Sequence, residues 1–331
     1  MLPRICIVML LALVTASDAL AVCTLARGRP TILTISGKLM TISADAPAST
    51  SVPFAEFNSP LLGQAVGYDH CLAGSEYGKR VINLTGQDSA TRIYQTDIPG
   101  IGIKLLYSNG SAFGNFPSTS YLRISSGDNE ATFDYPPQSY FRIQFFKTRD
   151  RLNLSQPLTG DRVLSAGDIA YNYVLSANPS NYAMKLSIGE MRIISTPACT
   201  ADGAKTVNFN DVTPSLLKNG VERDLDFAIT CQSDYGSYSA SASITTRTPS
   251  ADASYIQVLD ANGSKERLGI RITDGGGKAM KINGTTTEQK SSVTSYGSAQ
   301  FHWKATLIPI GQAAPAGGAF SASAEIVFTI Q

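Results

Sequence analysis

Short stretches in which apolar and polar residues alternate dominate this chain. Phe141, Ile143 and Phe145 alternate with Arg142 and Gln144. Ile169, Tyr171, Tyr173 and Leu175 alternate with Ala170, Asn172 and Val174. Leu225, Phe227, Ile229 and Cys231 alternate with Asp226, Ala228 and Thr230. Successive side chains of a strand point to opposite faces, so a period of two predicts strands with one face in a core. Turn-forming clusters at residues 108–111, 125–129, 261–264 and 274–277 punctuate these runs. No long stretch follows a 3.6-residue period, and only residues 215–219 predict a short helical turn. The pattern predicts an all-β protein of β-sandwich type.

The final segment carries the sharpest pattern. Phe320, Ala322, Ala324, Ile326, Phe328 and Ile330 fall on one face, with Ser321, Ser323, Glu325, Val327, Thr329 and Gln331 on the other. A strand with so apolar a face must pack into a core. It is either the ordinary last strand of a complete sandwich or one lip of a gap. In the second case its exposed edge is an aggregation hazard, relieved when another chain supplies the missing strand.

A length of 331 residues suggests two domains. The boundary is expected within residues 183–190, after the loop-like residues 176–181. This gives a first domain of residues 22–186 and a second of 187–331 that starts on a strand at 191–196. The first holds most of the aromatic residues, and the second is richer in Ala, Ser, Thr and Lys. Charged residues make up 16% of the chain and the net charge is +1, so there is no basic footprint for nucleic acid.

The N-terminus predicts a signal peptide of residues 1–21, removed on export. Arg4 precedes an apolar run at residues 5–14, and Ala19-Leu20-Ala21 forms the cleavage site. Cys6 leaves with it. The remaining Cys23, Cys71, Cys199 and Cys231 form an even set, as expected of disulfides in an exported chain. Three pairings are possible. The long cysteine-free stretch in the middle favours Cys23–Cys71 and Cys199–Cys231, one bridge in each half.

Catalytic motifs are missing. There is no G-x-S-x-G and no H-E-x-x-H, and the only histidines are His70 and His302. Asp274-Gly275-Gly276-Gly277-Lys278 lacks the spacing of a phosphate loop and predicts a hairpin turn. Glu56, Asp69, Asp97 and Glu130 show no spacing that singles out a glycosidase pair. Asp128-Asn129-Glu130 predicts a solvated turn, with calcium binding as the alternative. The sequence predicts no catalytic activity, no cofactor and no metal.

The second half resembles the pilin domain of chaperone–usher fimbrial subunits. The resemblance lies in the strand at residues 191–196, in Pro197-Ala198-Cys199-Thr200, in Lys205-Thr206-Val207-Asn208-Phe209, in residues 225–231 and in the terminal strand. The first half resembles the receptor-binding domain of two-domain tip adhesins, closest to the type 3 fimbrial (MrkD-like) family. That likeness rests on residues 92–104, Arg-Ile-Tyr-Gln-Thr-Asp-Ile-Pro-Gly-Ile-Gly-Ile-Lys, with Cys23 and Cys71.

The resemblance implies a second domain that is an incomplete immunoglobulin-like fold lacking its last strand. A periplasmic chaperone fills the gap during assembly at an outer-membrane usher, and the next subunit's donor strand replaces it. The faces of Phe320, Ala322, Ala324, Ile326, Phe328 and Ile330 then form the donor-strand groove. Many such subunits have an aromatic residue at the penultimate position, where this chain has Ile330. Because Cys23 follows the cleavage site almost at once, no donor strand precedes it, and the expected place is the fimbrial tip at the cell surface. The function implied is attachment to a collagen-like matrix protein or a glycan, with Ser51, Val52, Phe54, Ile93, Lys104 and Tyr107 lining the receptor site. A fimbrial shaft subunit and an unrelated secreted lectin are the alternatives.

Overall fold

A computed structural model describes residues 23–331; the expected signal segment, residues 1–21, lies outside the described residues. The protein is all-β, with 24 strands and one short helix among the described residues.

In the first half, one five-stranded sheet runs in the order Ser118–Tyr121, Glu76–Val81, Gly167–Val174, Met184–Ile188, Thr31–Ile35. A second runs Ala55–Asn58, Tyr140–Lys147, Ile101–Ser108, Tyr94–Gln95. Both feed one apolar cluster, with Ile103, Leu105, Phe141, Ile143 and Phe145 from one sheet and Leu33, Ala170, Val174 and Leu186 from the other. This is the sandwich that the period of two predicts.

The alternation of one strand is broken by a register shift between Asp168 and Ala170. In Gly167–Val174 the core takes Ile169, Ala170 and Val174, while Tyr171 and Tyr173 stay outside that cluster. The two tyrosine rings pair with each other at 6.1 Å, Tyr173 also lies under the Arg80 guanidinium, and its hydroxyl donates to Glu76. Both faces of the strand are covered, so apolar bulk alone did not reveal which one meets the opposite sheet.

The second half packs Ala198–Ala201, Val221–Gln232, Ser298–Pro309, Leu268–Thr273 and Ile256–Val258 in one sheet. The facing sheet is Glu288–Thr294, Ser237–Thr245, Glu325–Ile330. Between them the rings of Phe227 and Phe301 stack in parallel, both meet Trp303 edge to face, and the Trp303 indole N–H donates to Glu288 Oε2 at 2.6 Å. Leu225, Phe227, Ile229 and Cys231 are all buried, as the alternation predicts. The expected helical turn is the helix Pro214–Lys218, whose first turn is capped by the Thr213 hydroxyl.

Each half carries one disulfide, Cys23–Cys71 and Cys199–Cys231. The strand Met191–Thr196, expected to open the second domain, is built into the first half. It pairs in parallel with Lys38–Ser43 and antiparallel with Asp161–Leu164. Met191 and Ile193 are fully buried in the first cluster, beside Met40 and Ile42. Its apolar face finds neighbours there, whereas the second cluster starts at Phe209. The chain crosses from one core to the other after Thr196.

Candidate functional site

The last strand, Glu325–Ile330, pairs on one side only, with Ser237–Thr245, and ends its sheet. Ile326, Phe328 and Ile330 point to the core face but are only half-buried, and Ala322 and Ala324 are exposed. Phe328 reaches the aromatic cluster, 5.8 Å from Phe227 and 5.9 Å from Phe301. Beside it lies a cleft of about 640 Å³ floored by Leu225, Phe227, Ile244 and Ile270. Its far lip is the chain from Ala201 to Phe209, irregular beyond the strand Ala198–Ala201. A further cavity of about 1100 Å³ shares Val207, Phe209 and Phe320 and prolongs the opening. An apolar floor, an edge strand with unpaired backbone groups and side chains covered on one side only are what an added strand requires: main-chain pairing along the edge and pockets for alternate side chains.

The first half holds a separate cavity of about 550 Å³. Thr50, Gly86, Asp88, Thr91, Ile93, Tyr94, Gln95, Gly100, Thr148 and Arg149 line it, drawn from four separate segments of chain. The 86–96 segment is shaped by Asp88, whose Oδ1 accepts from the backbone N–H groups of Ala90 and Thr91 and from the Thr91 hydroxyl. Those bonds, the Thr91 backbone N–H foremost, hold the carboxyl below the usual range. Ile93 lies over Gly102, where a Cβ would sit 2.3 Å from its Cγ2, so only glycine lets the side chain settle there. Thr148 N–H donates to Gly100 O at 2.7 Å and joins the two remaining walls.

The structure gathers only part of the predicted receptor set at this cavity. Ile93 lines it, and the turn carrying Ser51 and Val52 abuts it through Thr50, with Val52 N–H held by Ser49 Oγ at 2.9 Å. Phe54 packs instead against Phe145 in the core, ring centroids 6.4 Å apart. Lys104 and Tyr107 cannot share a pocket. They stand three residues apart on one strand, so they face opposite sides of the sheet. Tyr107 packs inward, its hydroxyl 3.1 Å from Ser139 Oγ and its ring under the Lys79 ammonium. Lys104 pairs across the sheet with Gln144, whose amide donates to Glu56 at 2.7 Å on the outer face. Thr148 and Arg149 were missed because they follow a buried strand and carry no motif; their place opposite residues 98–102 comes from strand pairing alone.

Residues 189–331 match the model of a family described as fimbrial protein. No curated protein matches the chain. Among solved structures, the chain is similar to the receptor-binding domain of the plasmid-born adhesin MrkD1P of Klebsiella pneumoniae, with 18% identity over 54% of this chain and 98% of that one and a TM-score of 0.39. It is also similar to the CsuC–CsuE chaperone–tip subunit complex of Acinetobacter baumannii, with 11% identity over 93% of this chain and 99% of that one and a TM-score of 0.38. The CupB6 tip adhesin from Pseudomonas aeruginosa shares 15% identity over 93% of this chain and 94% of that one, with a TM-score of 0.34.

Proposed function

We propose that the protein is a fimbrial tip adhesin. The first half, which the structure carries through Thr196, binds the receptor, and the half that follows anchors the protein to the fibre by accepting a donor strand from the next subunit. The observation that carries this reading is the open cleft beside the last strand, with Ile326, Phe328 and Ile330 left half-covered in a fimbrial-protein domain. During export a periplasmic chaperone fills the same cleft, and an outer-membrane usher exchanges it for the donor strand. The stretch Thr24–Arg27 pairs with Val66–Cys71 and Cys23 is bridged to Cys71, so these residues are committed to the first half and do not act as a donor strand. The receptor, a matrix protein or a glycan, binds at the cavity around Ile93. No cofactor takes part, and the activity is adhesion rather than catalysis.

The test is to purify the chain alone and with a synthetic strand of alternating apolar residues. The reading expects aggregation alone and a stable monomer with the strand. A stable monomer alone that ignores the strand would overturn it.

A further inference from the structure

The smaller sheet of the second half has two outer strands, and they are built in opposite ways. Glu325–Ile330 and Glu288–Thr294 both pair with Ser237–Thr245, and each leaves its other side unpaired among the described residues. Glu325–Ile330 keeps an unbroken register from Ala240 opposite Ile330 to Thr245 opposite Glu325, and it turns Ile326, Phe328 and Ile330 to the core. In Glu288–Thr294 the register shifts, so that Ser239 faces both Ser291 and Ser292, and Ser292 stands at a φ of +54°. This is a β-bulge, which bends the strand and interrupts its ladder. The residues directly opposite Ala240 and Ala242 are Lys290 and Glu288. Cross-strand partners share a face, and both alanines are fully buried, so these two charges point toward the core. Glu288 is anchored there. Its Oε2 accepts from the Trp303 indole N–H at 2.6 Å and its Oε1 pairs with Lys290 Nζ at 2.7 Å. The Lys290 ammonium lies 5.6 Å from the centre of the Phe301 ring, and the Phe328 ring lies 5.9 Å from that same ring. Phe301 is thus approached from both outer strands, by an ion pair on one and by a half-covered aromatic on the other.

A further strand needs a continuous row of backbone groups along the edge and an apolar space for its own inward side chains. Glu325–Ile330 offers both. A strand laid beside Glu288–Thr294 would meet a ladder broken by the bulge. It would also have to strip the remaining water from the Glu288–Lys290 pair, a desolvation cost that a pair already in contact does not recover. Taking the second half as a strand acceptor, we propose that the Glu288–Lys290 pair, anchored by Trp303, closes this second edge. The domain then accepts one strand, at Glu325–Ile330, and does not join a second copy of the chain edge to edge through Glu288–Thr294.

The test counts strands. Native mass spectrometry of the full chain with an excess of a synthetic strand of alternating apolar residues should show one strand per chain, and the complemented chain should sediment as a monomer at high concentration. A Glu288→Gln, Lys290→Ile double variant removes both charges and keeps an acceptor for the Trp303 indole. It should bind a second strand or form dimers, with association at least about tenfold tighter than in the wild type. New hydrogen-exchange protection should be confined to Glu288–Thr294. If the added isoleucine unfolds the chain, Glu288→Gln with Lys290→Gln removes the same charges without the branched side chain and carries the same expectation. Two strands on the wild-type chain would overturn the proposal. So would a charge-free variant that melts as the wild type does, takes one strand and stays monomeric. If the wild-type chain takes no strand at all, the acceptor reading itself fails, and the closed edge with it.

Discussion

The Ser195 hydroxyl donates to the Asp234 carboxylate at 2.7 Å, joining the last strand of the first half to a turn of the second. Asp234 is 3% exposed, and its other carboxylate oxygen accepts from Leu152 N–H at 3.0 Å. Its backbone carbonyl accepts from Leu154 N–H at 2.9 Å, and the neighbouring Tyr235 hydroxyl accepts from Ser195 N–H at 3.0 Å. One turn of the second half thus satisfies three backbone donors of the first half. Asp234→Ala would strand Leu152 N–H and the Ser195 hydroxyl in a buried site. The expected cost is about 2 kcal/mol, read by denaturant unfolding, with a looser arrangement of the two halves in solution scattering. An unchanged midpoint and scattering profile would show that the turn carries no structural load.

The open cleft makes the last strand unusually tolerant in the free protein and intolerant in the complex. Phe328→Ala removes a ring that is half-covered in the chain alone and fully covered once a donor strand lies beside it. The loss in the free protein should be about 1–2 kcal/mol, rising toward about 3–5 kcal/mol in the strand-complemented form. Denaturant unfolding of both forms, the free chain at high dilution to hold off aggregation, separates the two values. Equal losses would mean that the ring is as buried without a donor as with one.

In the first half, the proposed receptor-binding half, Ile93 and Lys104 come from the same stretch of sequence but lie in different places. Ile93→Ala should reduce receptor binding about tenfold, since it enlarges the cavity and removes an apolar wall. Lys104→Ala should leave affinity within twofold, because the side chain stands on the outer face of the sheet. Surface plasmon resonance on both variants decides it. A larger effect from Lys104 would move the site to the outer face beside Glu56, Arg142 and Gln144.

Each disulfide closes a loop that the unfolded chain would otherwise sample. With a sequence separation of 32 residues, the Cys199–Cys231 bridge should contribute roughly 4 kcal/mol in the chain-entropy account. A Cys199→Ser, Cys231→Ser double variant should show that loss in unfolding experiments. A change of less than about 1 kcal/mol would mean that the unfolded state is already compact.

His70 reports on pH. Its Nδ1 lies 2.6 Å from the Glu130 carboxylate, and that hydrogen bond, with the carboxylate's charge, raises its pKa above the ordinary value of 6.5. A raised folded pKa means that the stabilising contribution is complete below the unfolded pKa. It is lost as pH rises through the folded one. Both partners are exposed, so the effect should be small. Stability measured between about pH 5 and pH 9 should therefore fall slightly more in the wild type than in Glu130→Gln. Parallel profiles would remove the pair from the account.

The sequence by itself determined the class of fold and most of its strands. Alternation at 141–145 and at 225–231 specified which residues are buried, because only one face of each strand meets a core and apolar side chains must take it. Cysteine spacing foretold both bridges, since each pair is local to one half. The apolar face of the last strand was also legible, while the open groove beside it was implied only by the family resemblance. Tertiary structure decided what depends on how segments distant in sequence meet. Both faces of Gly167–Val174 are covered, so composition could not tell which one holds the tyrosines. Met191–Thr196 could satisfy its backbone in either half, and parallel pairing with Lys38–Ser43 settled the matter. The cavity of the first half has the same origin. Thr50, Ile93, Gly100 and Arg149 are scattered over a hundred residues of chain, none announces itself locally, and only the pairing of their strands and turns brings them to one cavity.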